Sequence, residues 1–189
     1  MNVIAFVGDK RVAEGDIATV ATQLWQGESQ RKQPLLVFDL SSARVVDLNL
    51  QGGEQEVALR YQQANSSAPP SPKGPGRPKL GVKAKEVTLL PRHWQWLSAQ
   101  PGGASASLRK LVEQAMRQPN PKGERVAAQE RCDRFMQVMA GNQPGYEEAA
   151  RALYAGNQAL FEEHIALWPA DISQQLRLWA GPAFAAAPT

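Results

Sequence analysis

Apolar positions in the first fifty residues fall in short runs, with one stretch of helical spacing between them. Val3-Ile4-Ala5-Phe6-Val7 is a compact apolar run stopped by Gly8-Asp9, and residues 11–14 follow as a second short strand. Gly15-Asp16 breaks that strand and can cap a helix over 16–26, in which Ile17, Val20, Ala21 and Leu24 share a face. After a polar stretch, Leu35-Leu36-Val37-Phe38 predicts a strand, Ser41-Ser42 a turn, and Val45, Val46, Leu48 and Leu50 the return of a hairpin. The order strand, strand, helix, strand, strand suits a small antiparallel sheet with one face covered by the helix.

Beyond Gln51-Gly52-Gly53 the pattern becomes helical over residues 54–63, carrying Val57, Leu59 and Tyr61. Composition then shifts. Ala64 to Gly81 holds five prolines and little to bury, which predicts an extended linker over 64–82. Residues 83–118 read as strand, helix, helix. Val87-Thr88-Leu89 is the strand, and Pro91 suits the first turn of a helix that ends near Ala99. Pro101-Gly102-Gly103 is a break, and Ser105 or Ser107 caps a second helix bearing Leu108, Leu111, Val112, Ala115 and Met116. Four helices are expected over 123–180. Their faces are marked by Ala128, Cys132, Phe135, Met136 and Met139, then Ala149 and Leu153, then Phe161, Ile165 and Trp168, and last Ile172, Leu176 and Trp179. Asp171 is the expected cap of the fourth, and 181–189 is expected as a disordered tail. The fold class is α+β, with a 1–63 α+β domain, the linker, the 83–118 segment and the 123–180 helical region.

The 189 residues are 43% hydrophobic and 21% charged, enough for a core and unlike a disordered chain. Cys132 is the one cysteine, so no internal disulfide forms, and in a helical run it reads as a half-buried residue rather than a reactive thiol. The N-terminal apolar run lacks a basic flank and reads as a strand, not a signal peptide. No apolar stretch approaches the ~20 residues of a membrane span. The expectation is a cytoplasmic protein with no membrane partner.

Charge is unevenly placed. From Lys73 to Arg117 there are nine bases and two acids, a net +7, which leaves −4 for the rest of a chain whose total is +3. A basic block in a mildly acidic chain suits a polyanionic partner. A lysine-rich linker and exposed helix faces are the plainer explanation of the same charge.

A lone strand before two helices cannot bury its own face and needs a partner strand. Glu86-Val87-Thr88-Leu89-Leu90-Pro91 and Gly103-Ala104-Ser105-Ala106-Ser107-Leu108-Arg109 resemble the strand, helix start and second turn of ribbon-helix-helix DNA-binding proteins. That resemblance covers about a fifth of the chain. It implies a homodimer whose paired strands enter the major groove of double-stranded DNA. It would place Val87 and Leu89 in the helical core and Thr88 at a base. Amides near Ser105 and Ser107 would meet a phosphate, and Lys79, Lys83, Lys85, Arg92, Arg109 and Lys110 would lie along the backbone. Glu86 and Ala84 depart from the usual groove-facing residue types. The same segment is equally readable as a dimerisation module. Trp94 and Trp96, about 200° apart on a helix, cannot both face one core.

Lys73-Gly74-Pro75-Gly76-Arg77-Pro78-Lys79 resembles the AT-hook, which would place Arg77 in a minor groove. Pro75 stands where that family has a second arginine, and a stiff basic spacer is the alternative. Over most of residues 1–180 the chain is similar to a family of uncharacterised bacterial proteins. Gly76 to Gly81, Glu86 to Leu97 and Arg134 to Leu153 carry the resemblance. It brings a bacterial origin and no activity.

Chemistry is otherwise sparse. His93 and His164 lack a metal-ligand partner at working spacing, and no nucleophile elbow or phosphate loop is legible. No cofactor is implied. Three readings follow: a homodimeric DNA-binding protein or transcriptional regulator, a non-catalytic interaction module, and a small-molecule binder or enzyme with a pocket between the N-terminal sheet and the C-terminal helices.

Overall fold

The computed structural model describes residues 1–27, 32–65, 85–118 and 120–185. The chain divides into two compact units, Met1–Ala68 with Pro121–Thr189, and Pro69–Asn120.

The first unit is built on three antiparallel strands in the order β2-β1-β3: β1 (Asn2–Val7), β2 (Lys10–Asp16) and β3 (Leu35–Asp39). Along β1 the side chains alternate between two buried faces. Val3 and Ala5 join Val37 beneath α1 (Ile17–Gln26) and α2 (Glu54–Asn65). Ile4 and Phe6 join Phe38 in a second core with the C-terminal helices. Both faces of the sheet are therefore covered, which a run as continuously apolar as Val3–Val7 requires.

The second core is supplied by α5 (Pro121–Met139), α6 (Tyr146–Ala155), α7 (Gln158–Ile165) and α8 (Ala170–Phe184). Phe135 is its hub. Its ring lies 5.4 Å from Phe6, 5.1 Å from Phe38 and 5.2 Å from Trp179. Edge-on ring pairs at this spacing each contribute roughly 0.5–1.5 kcal/mol beyond the area they bury. Arg134 of α5 ties the same helix to the turn after β3 by donating to the Ser42 carbonyl at 2.6 Å. Rings of Phe6, Phe38, Phe135 and Trp179 thus occupy the contact between the sheet and these helices, the place expected for a pocket.

That turn is held by Asp39, whose Oδ1 accepts from the amides and hydroxyls of Ser41 and Ser42 at 2.6–3.1 Å. Burial raises the Asp39 pKa, but these four donors outweigh it and hold the carboxyl below its usual value. The hairpin expected over 45–50 shrinks to one bridge, Phe38 to Val45, with Val46 N–H donating to the Val37 carbonyl at 2.8 Å. Further on, side chains of α2 take the backbone groups a strand would use. The Asn49 N–H donates to the Tyr61 hydroxyl at 2.6 Å, and Arg60 Nη1 donates to the carbonyls of Asn49 and Gln51.

Two boundaries at the C-terminus differ from expectation. Helix α8 is capped by Pro169, with Asp171 inside its first turn. Asp171 instead accepts from the Arg11 amide of β2 at 3.1 Å and lies 3.9 Å from Lys10 Nζ. The expected tail also begins too early, because α8 runs on through Pro182 to Phe184. Ala183 is buried and Phe184 lies 5.3 Å from Phe161, so apolar packing holds the turn that Pro182 weakens. Before α6, Gly145 adopts a φ of 74°, and a Cβ there would lie 2.9 Å from His164 Nδ1.

Candidate nucleic-acid interface

The second unit contains the segment with the most legible functional signal. Residues 85–90 take no helix or ladder in the single chain, so the expected Val87–Leu89 strand is not formed there. A strand needs hydrogen bonds from a neighbour, and the described residues offer it none. Val87 is 53% exposed and Leu89 is half-buried, so Val87 does not reach a core in the single chain. The backbone turns helical at Leu90, whose carbonyl accepts from His93 and Trp94, and Pro91 opens α3 (Pro91–Ser98).

Helix α4 (Gly103–Arg117) begins two residues before the first expected cap. Gly102 and Gly103 both take positive φ, a conformation glycine reaches without a Cβ clash, and this starts the helix directly after Pro101. Ser105 and Ser107 therefore lie inside the first turns, Ser105 exposed and Ser107 half-buried, and neither side chain caps the helix.

Helices α3 and α4 pack on one another, yet Leu97 is the only buried side chain among the described residues of this pair. In α4, Leu108, Leu111, Val112, Ala115 and Met116 recur at helical spacing, but the helix has no buried residue, and Met116 is 79% exposed. Trp94 and Trp96 are both exposed, as are Leu90 and Val112. An apolar stripe of this length is ordinarily a contact surface.

The cations share the segment. Lys85, Arg92, Arg109, Lys110 and Arg117 are exposed, and none forms an ion pair among the described residues. Arg92 Nε donates to His93 Nε2 at 3.4 Å, and Arg109 Nε donates to the Ser105 carbonyl at 3.2 Å, so two of them are held by local bonds alone. Thr88 is exposed. Arg77, Lys79 and Lys83, together with the whole AT-hook-like stretch, lie outside the described residues.

Elsewhere the described residues offer little reactive chemistry. No group of three His, Cys, Asp or Glu side chains is placed to hold a metal ion. Cys132 is fully buried, and burial pushes its thiol up to about 12, which keeps it protonated and unreactive near neutrality. No described helix is long and apolar enough to cross a membrane.

A family model described as "uncharacterized protein conserved in bacteria (DUF2239)" matches residues 2–180. The chain belongs to that family. The match takes in both units of this DUF2239 protein, and the family description attaches no activity to either. No curated protein and no solved structure matches the chain.

Proposed function

We propose that this DUF2239 protein is a homodimeric, DNA-associated protein, a regulator of transcription in which residues 83–118 of two copies complete one another. The supporting observation is the α3–α4 pair, an amphipathic helical hairpin with one buried side chain and an uncovered apolar stripe. A pair this small does not stabilise itself. A second copy brings an identical 85–90 segment that can pair antiparallel with the first, and it brings a matching stripe to cover α4.

Charge then argues for a polyanion. Dimerisation doubles the net +7 of Lys73 to Arg117 within one assembly, and a DNA backbone offsets that repulsion. In this arrangement Lys79, Lys83, Lys85, Arg92, Arg109 and Lys110 contact phosphates. The amides near Ser105 and Ser107 hold one of them, Thr88 reaches a base, and Arg77 enters a minor groove.

The test is binding to a fluorescent mixed-sequence duplex across a salt series, with solution mass measured on the same sample. The expected result is a dimer whose log affinity falls linearly with log salt, by about 0.9 per phosphate neutralised. Replacing Lys83 and Lys85 with glutamine flattens that slope. A monomer that binds no duplex even at low salt overturns the proposal.

A further inference from the structure

On the α1 face of the sheet, at the end where α1 stops, the first unit carries an open groove. Val7 of β1, Val12 and Ala13 of β2 and Leu24 of α1 form its apolar part. Gln23 and Lys32 stand among its polar lining, and no acidic residue lines it among the described residues. Its volume is about 490 Å³, room for roughly sixteen waters at ~30 Å³ each and within the size range of small-molecule sites.

Val12 is the informative residue. The β1–β2 register runs Ala5 to Ala13 and then Phe6 to Arg11, so Val12 is the extra residue of a β-bulge. A bulge re-aims a side chain, at a local cost to the ladder. Here the side chain lining the groove is an apolar one, 49% exposed. Lys32 forms no ion pair among the described residues. The carbonyl end of α1 adds about half a negative charge nearby, which the full charge of one ammonium exceeds. An apolar wall under a cation that has no ion pair among the described residues is complementary to an amphipathic anion.

We propose that this groove binds a small monocarboxylate with an apolar body of roughly a dozen heavy atoms, its chain against Val12 and Leu24 and its carboxylate at Lys32. The groove belongs to the first unit, and its test involves no DNA.

Titration calorimetry of the full chain with decanoate, decanol and decyltrimethylammonium, each below its micelle concentration, reads the proposal directly. Decanoate is expected to bind with one site per chain and more tightly than decanol. Lys32→Gln should weaken decanoate ~3–5-fold, as expected for an exposed ion pair, and leave decanol unchanged. Val12→Glu, at an exposed position, should weaken decanoate at least ~10-fold by setting a carboxylate against the apolar chain. Val12→Ala, which adds no charge, supplies the same comparison if the glutamate variant loses its far-ultraviolet circular dichroism. The inference is overturned if decanoate gives no saturable heat, if decyltrimethylammonium binds as tightly, or if the Val12 and Lys32 variants bind decanoate as the parent does.

Discussion

Truncating Phe135 tests whether the sheet and the C-terminal helices are one cooperative body. The side chain is fully buried and its ring meets Phe6, Phe38 and Trp179 at 5.1–5.4 Å. Phe→Ala in a close-packed core costs about 3–5 kcal/mol, and three ring contacts place this site near the upper end. A unit of this size has a total stability of about 5–15 kcal/mol, so Phe135→Ala consumes a third or more of it. The melting temperature should fall by roughly 15 °C, and Phe135→Leu, which keeps most of the volume, by much less. Native-state hydrogen exchange supplies the decisive reading, because it reports each element separately. The amides of Ile4 and Phe6 in β1 should lose protection by the same free energy as those of Leu176 and Trp179 in α8. If α8 loses protection while β1 keeps it, the shared core is not the cooperative unit and the reasoning fails.

Gly145→Ala should destabilise by about 1–2 kcal/mol, read by urea denaturation, because the position has a φ of 74° and a Cβ there would press on the His164 ring. Cys132 should resist a thiol reagent at pH 8 in the native protein and react fully in denaturant, since its thiol is pushed up to about 12. Asp39, with a folded pKa held below 3.8, contributes stability that is present above that value and lost as pH falls through the lower folded pKa. Asp39→Asn should therefore flatten the acid limb of a stability-against-pH curve. On the proposed dimer, Met116→Glu, at a 79% exposed position, should leave the fold intact by circular dichroism and lower the solution mass to that of a monomer.

The helices are legible in the sequence because their apolar residues keep a 3.6-residue period that tertiary packing then uses. Ile17, Val20, Ala21 and Leu24 are buried together, and so are Cys132, Phe135 and Met136. The order of elements predicts one covered face of the sheet, whereas both are buried, as the unbroken run Val3–Val7 requires. What covers the second face has no local signal, since the first covering helix begins more than eighty residues after β3. The hairpin expected over 45–50 fails because Tyr61 and Arg60, in the helix that follows, capture the backbone of Asn49 and Gln51. Of the tail expected over 181–189, residues 181–184 belong to α8, because Ala183 and Phe184 have a core to enter, and 186–189 lie outside the described residues. The groove at Val12 leaves no trace in Lys10–Asp16, because a bulge is set by pairing and not by composition.

The two-sided sheet also sets an order of events during synthesis. Phe6 and Phe38 emerge early, but their covering residues Phe135 and Trp179 follow only after the whole basic unit has been made. At 5–20 residues per second the interval from Phe38 to Trp179 is roughly 7–28 s. For that time one face of the nascent sheet stands bare. The N-terminal half is thus a natural client for a chaperone at the ribosome, and a chain released before α8 would be aggregation-prone however well its first fifty residues had folded.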